Sequence, residues 1–135
     1  MPVDSDRPAR ALAVLGPADP GDPHWRFLLE SRWRARLLEV TELSLAYHDA
    51  AAAPVTDHAP DGARDSTGEG SVRQLRGLLN RAVTARRALA DTEEALVRLA
   101  AGHFGRCEHC TGPIPPARLA GEPEARYCPR CAPVA

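Results

Sequence analysis

Lysine is absent: each of the 17 basic residues is Arg, a codon-usage trait of a GC-rich genome that excludes no fold. Aromatic residues are scarce, two each of Phe, Tyr and Trp. A buried aromatic ring removes a great deal of apolar surface from water, so a chain this poor in them does not build a thick globular core. Ala and Leu supply most of the apolar count instead, which suits packed helices. Net charge is −1, so bulk electrostatics does not nominate nucleic acid as a partner. No apolar run approaches the roughly 20 residues of a membrane span. The longest early one, residues 11–15, is too short for the core of a secretion signal. The expectation is a cytoplasmic chain with no membrane partner. In that compartment thiols stay reduced, and paired cysteines read as metal ligands before they read as disulfides.

Glycine and proline are also absent from His24 to Asp49. There Leu29, Trp33, Leu37, Val40, Ser44 and Tyr47 recur at spacings of three and four, with Leu28, Leu38 and Leu45 widening the stripe. This predicts an amphipathic helix of roughly 25 residues, about 38 Å long. Before it, Pro2, Pro8, Pro17, Pro20 and Pro23 with Gly16 and Gly21 make residues 1–23 an expected disordered tail. After it, Pro54, Pro60, Gly62, Gly68 and Gly70 mark a loop over about 50–70. Ser71 then stands as the expected N-cap of a second helix, with a seam at Val72, Leu75, Leu79, Ala82, Arg86, Leu89, Glu93 and Leu96. Gly102 ends it as a left-handed cap. Two long helices joined by one loop predict an antiparallel coiled-coil hairpin over 24–101.

Charge is distributed unevenly. Residues 49–70 carry Asp49, Asp57, Asp61, Asp65 and Glu69 against Arg64 alone. Residues 71–88 carry Arg73, Arg76, Arg81, Arg86 and Arg87 and no acid. An acidic loop therefore directly precedes a basic helix.

Cysteine occurs four times, all near the C-terminus: Cys107-x2-Cys110, 17 residues, then Cys128-x2-Cys131. This is a four-cysteine zinc spacing, in which each x2 turn brings two sulfurs to one face of a tetrahedron. Four protein ligands leave no position for water or substrate, so such a site stabilises structure and does not catalyse. Residues 102–135, with Pro113, Pro115, Pro116, Pro123, Pro129 and Pro133, have few apolar side chains to fold on. Binding one Zn²⁺, worth about 10–16 kcal/mol in small peptides, would supply the difference. His103 and His109 are bystanders, since four cysteines already satisfy the metal. Arg106, Arg118, Arg126 and Arg130 are placed to offset the charge of the thiolates. The fold class is thus all-α, a helical hairpin followed by a small four-cysteine zinc-finger module.

The stretch Phe104-Gly105-Arg106-Cys107-x2-Cys110, Ile114-x3-Arg118-Leu119, Pro123-x-Ala125-x2-Cys128-x2-Cys131 resembles the DksA/TraR zinc-finger signature. Thr111 stands where that signature usually has Gly, and Gly121 where it has Ala. The resemblance implies a bacterial transcription regulator that binds RNA polymerase through its secondary channel, with acidic residues of the coiled-coil tip near the active centre. It also implies no direct sequence-specific DNA binding, and some family members act with the alarmone ppGpp. The family's tip reads D-x-x-D-x-A. Asp61-Gly62-Ala63 fills its last three positions, while the first falls on His58, with Asp57 one residue earlier. Asp57, Asp61 and Ala63 are therefore the candidate tip residues.

Two rival readings are weaker. A zinc-ribbon-like nucleic-acid binder, or an interaction module without tip activity, would want a basic or aromatic surface. Residues 102–135 set four Arg against Glu108, Glu122 and Glu124, with Phe104 and Tyr127 the only aromatics. An enzyme would need a pocket to shift a pKa, and Asp57 and Asp61 lie in a Gly/Pro loop. The chain is not expected to be an enzyme.

Overall fold

The computed structural model describes residues 19–53 and 64–132, and of residues 64–68 the backbone alone. Within these residues lie three helices, α1 (Pro23–Ala52), α2 (Arg64–Ala100) and the short α3 (Pro116–Gly121). Most of the proposed 1–23 tail lies outside the described residues. Residues 19–22 form a turn in which Gly21 N–H donates to Asp19 Oδ1 at 2.9 Å. The turn launches α1: Asp22 Oδ1 accepts the His24 N–H at 2.9 Å, and Pro23 takes the first helical position, where no N–H is needed.

α2 begins at Arg64, not after Ser71, so residues 64–70 are helical and Ser71 is no cap. Gly68 and Gly70 cost the helix about 1 kcal/mol each relative to Ala. A helix already nucleated downstream extends by propagation, which lacks the nucleation penalty. At its other end the expected cap is present. Gly102 adopts φ 78°, His103 N–H donates to Arg98 O at 2.8 Å, and Gly102 N–H to Leu99 O at 3.2 Å, the Schellman pattern.

The described residues divide into two units, one formed up to Trp33 and from Asp91 onward, the other by Arg34–Ala90. In the second, Leu43 of α1 packs with Ala82 and Ala85 of α2, and half-buried Val40 and Leu78 lie against them. In the first, Trp25, Leu29 and Ala95 share a core with Phe104, Ile114, Leu119, Ala125 and three of the cysteines. The rings of Trp25 and Phe104 are 5.4 Å apart.

The helix-pairing seam follows the predicted period with alternate positions moved by one. On α2, Leu75, Ala82, Leu89 and Leu96 are at least half-buried as expected, but the positions between them are Leu78, Ala85, Thr92 and Leu99. Val72, Leu79, Arg86 and Glu93, the expected partners, are exposed. On α1, Leu37 and Ser44 likewise give way to Arg36 and the more deeply buried Leu43. At two of the moved positions the reason is charge: Ala85 packs with Leu43 and Thr92 meets Glu124, while their neighbours Arg86 and Glu93 stay exposed instead of carrying a charge into the seam.

Leu43→Ala is therefore expected to destabilise the protein by about 2–5 kcal/mol. Leu79→Ala, at a site 49% exposed, is expected to cost less than about 1 kcal/mol. Urea unfolding of the two variants checks the register, and equal losses would overturn it.

Candidate metal centre

Two knuckles position the four sulfurs. In the first, Cys107 N–H donates to Gly112 O at 2.8 Å and Thr111 N–H to Cys107 O at 3.0 Å, while Arg106 and Pro113 form an antiparallel bridge. In the second, Cys128 O accepts from the N–H groups of Cys131 (3.0 Å) and Ala132 (2.9 Å). Glu108 N–H donates to Arg126 O at 2.8 Å, which ties one knuckle to the other. The result brings Cys107, Cys110, Cys128 and Cys131 Sγ atoms within 4.8 Å of one another, with no disulfide among them. Neither His103 nor His109 belongs to the group.

The donor set fits a tetrahedral metal ion. Sulfurs bonded at about 2.3 Å lie about 3.8 Å apart along a tetrahedral edge. The Cys110–Cys128 sulfur separation is 3.7 Å. Electrostatics agrees. Burial opposes ionisation of Cys107, but the N–H groups of Cys110, Cys128 and His109 outweigh it and lower its pKa to about 6. Burial is likewise outweighed at Cys128, chiefly by the Cys131 N–H and thiol, and its pKa is lowered. Cys131 moves the other way, pushed up to about 12 by burial and then by its sulfur neighbours. Four thiolates cannot crowd together without a cation, and a dication at their centre removes that conflict.

Cys110 is the exposed corner. Beside it Thr111 adopts φ 61°, a left-handed conformation costing a non-glycine residue about 1–2 kcal/mol. Its hydroxyl donates to Cys110 O at 2.6 Å. The next residue must be small, because a Cβ at Gly112 would lie 3.3 Å from Cys110 Sγ.

The cysteine module is held to the helices by polar contacts that sequence reasoning did not foresee. Glu124 Oε1 accepts from Arg32 Nε of α1 at 2.6 Å and from Thr92 Oγ1 of α2 at 2.9 Å. Glu124 O accepts from Arg98 at 3.3 Å. Thr92 is fully buried, and that carboxylate is one acceptor for its hydroxyl. Arg126, expected to offset thiolate charge, instead pairs with Asp91 and Glu94 of α2, and Arg118 pairs with Glu122 at 3.9 Å. Spacing carries no signal for the contacts between module and helices, which join residues 26 to 92 positions apart.

Asp57, Asp61 and Ala63, the candidate tip residues, lie outside the described residues. Among the described residues no helix is long and apolar enough to cross a membrane.

A helical pair bearing a four-cysteine module defines the class. No family model matches the chain, and no curated protein matches it. Among solved structures it is similar to the transcription factor DksA2 from Pseudomonas aeruginosa, with a TM-score of 0.74 and 22% identity. The match covers 93% of this chain and 92% of that one. The chain has the fold of DksA2, in line with the resemblance that its cysteine signature carries.

Glu124 yields a pH-dependent expectation. Burial raises its pKa, but hydrogen bonds from Arg32 and Thr92 outweigh this and hold it below the ordinary 4.5. A depressed carboxyl stabilises the fold above its unfolded value and loses that contribution as pH falls through the folded one. Glu124→Gln is expected to cost about 1–3 kcal/mol at neutral pH. The gap from wild type should close below the ordinary carboxylate range in urea unfolding across pH. A gap that persists there would mean that charge is not what Glu124 contributes.

Proposed function

We propose that this protein is a non-enzymatic transcription regulator that binds RNA polymerase through its secondary channel and presents the acidic 49–70 segment near the active centre. The observation that carries this reading is the fold shared with a transcription factor across nearly the whole of both chains. The cysteine signature and the acids at Asp57 and Asp61 support it. Carboxylates are natural ligands and neighbours of a hard cation such as Mg²⁺, so acids at that place would bias a polymerase active centre.

In this reading Cys107, Cys110, Cys128 and Cys131 hold one structural Zn²⁺. The ion supplies four bonds to a module otherwise short of apolar material. The chain's own residues do the rest: Glu124, Arg126 and Arg98 fasten the module to the helices. Any dependence on ppGpp would be exerted in the complex with polymerase.

Two measurements test this. Freshly prepared, reduced protein is expected to hold one zinc per chain by elemental analysis, and Cys107→Ser to release it, because three ligands leave an incomplete tetrahedron. Absence of stoichiometric metal from the wild type would overturn the zinc assignment.

The functional test is a pull-down with host RNA polymerase, with and without DNA, followed by transcription in vitro. Asp61→Asn is expected to leave zinc content, folding and polymerase binding intact while changing transcript output. Asp57→Asn reports whether the shifted acid takes part. Polymerase binding with unchanged output for the double variant would leave a competitor acting by occupancy; no binding would sink the proposal.

A further inference from the structure

α2 carries a second heptad stripe that is exposed among the described residues. Val72, Arg76, Leu79, Val83, Arg86 and Ala90 follow a 4-3-4-3-4 spacing, and all six are exposed. The apolar members are 53%, 49% and 43% exposed at Val72, Leu79 and Val83. A solvated helix face has no reason to place branched apolar residues at that rhythm, which is the rhythm of helix-on-helix packing. Arg73 and Arg87 stand one residue from the stripe, and residues 71–88 contain no acid. Among the described residues, no carboxylate pairs with Arg73, Arg76, Arg86 or Arg87.

We propose that this stripe is a docking seam for an acidic amphipathic helix of a partner protein. The apolar side chains enter the partner's seam, and the arginines meet Asp or Glu on its flanks. Charge complementarity selects that occupant. A second copy of this chain would bring Arg against Arg, and like charges across an interface are repulsive. A nucleic-acid backbone would satisfy the arginines but give Val72, Leu79 and Val83 nothing to pack on. The inference stands on α2 alone and does not depend on the polymerase reading.

The test uses the full zinc-loaded chain and three fluorescent probes in anisotropy titrations. They are a three-heptad helical peptide with Leu at its seam and Glu on its flanks, a twin with Lys on its flanks, and a single-stranded oligonucleotide. The Glu peptide is expected to bind at least about 10-fold tighter than the Lys twin, a difference of about 1.4 kcal/mol. Leu79→Ser should weaken the Glu peptide by about the same factor. The double variant Arg76→Glu, Arg87→Glu, at exposed positions, should reverse the preference between the peptides. Circular dichroism on each variant confirms that helix content is kept. Equal binding of the two peptides, or none of either, would overturn the proposal. So would oligonucleotide binding that is tighter than the Glu peptide's and indifferent to Leu79→Ser. Self-association abolished by Leu79→Ser would assign the seam to a second copy instead.

Discussion

The unit that carries the cysteines depends on one carboxylate. Glu124 reaches out of a proline-rich segment and accepts hydrogen bonds from both long helices, through Arg32 and Thr92. Without it Thr92 would be a fully buried hydroxyl lacking this acceptor. Apolar contact accompanies this polar one: Phe104, Ile114 and Leu119 share their core with Trp25, Leu29 and Ala95. Cys107, Cys128 and Cys131 belong to that same core, so ligand geometry and packing are not separable. Whatever holds the sulfurs together also holds Phe104 and Ile114 in place. Binding of a metal there would therefore be coupled to docking of the module onto the helices, the usual situation where a metal site does not exist in the unfolded chain.

The module is fastened by charge at its rim and by apolar contact at its centre. Arg126 pairs with Asp91 and Glu94, while Arg98 serves both Glu124 O and Glu108. Surface ion pairs taken singly contribute little, about 0–1 kcal/mol. Here they converge on Arg126 and Arg98, beside the buried side chains of the module's core. Their value lies in orientation: they set how the knuckles face the helices. Arg118 and Glu122, by contrast, pair within one short segment and orient nothing beyond α3.

The clustering of the four sulfurs was legible because their spacing is local chemistry: two x2 turns need no knowledge of the rest of the chain. The Gly102 cap was legible for the same reason, since it depends on one backbone angle. The seam was half legible. Leu75, Ala82, Leu89 and Leu96 followed from period, but their alternates did not. Thr92 looks like a poor seam residue until Glu124 is seen to meet its hydroxyl, and that pairing spans 32 residues. Arg86 and Glu93 fitted the expected seam badly, and the misfit was the signal of a register one residue away. The start of α2 was hidden by Gly68 and Gly70, which lower helix propensity without forbidding the helix.

That register error leads back to the outer surface of α2. Val72, Leu79 and Arg86 keep a strict seven-residue period and look like a seam because they are one, displaced from the seam that α1 occupies. A single helix can carry two such stripes on different faces. Ala82 and Ala85 serve the contact with α1 and leave Leu79 and Val83 outside it. Had α2 only one partner, selection for solubility would favour charged or polar residues at those positions. The seam against α1 mixes Leu75, Leu78 and Leu89 with Ala82 and Ala85, and a further leucine and two valines still face solvent. Two apolar stripes on one helix are the pattern of a helix built for two neighbours.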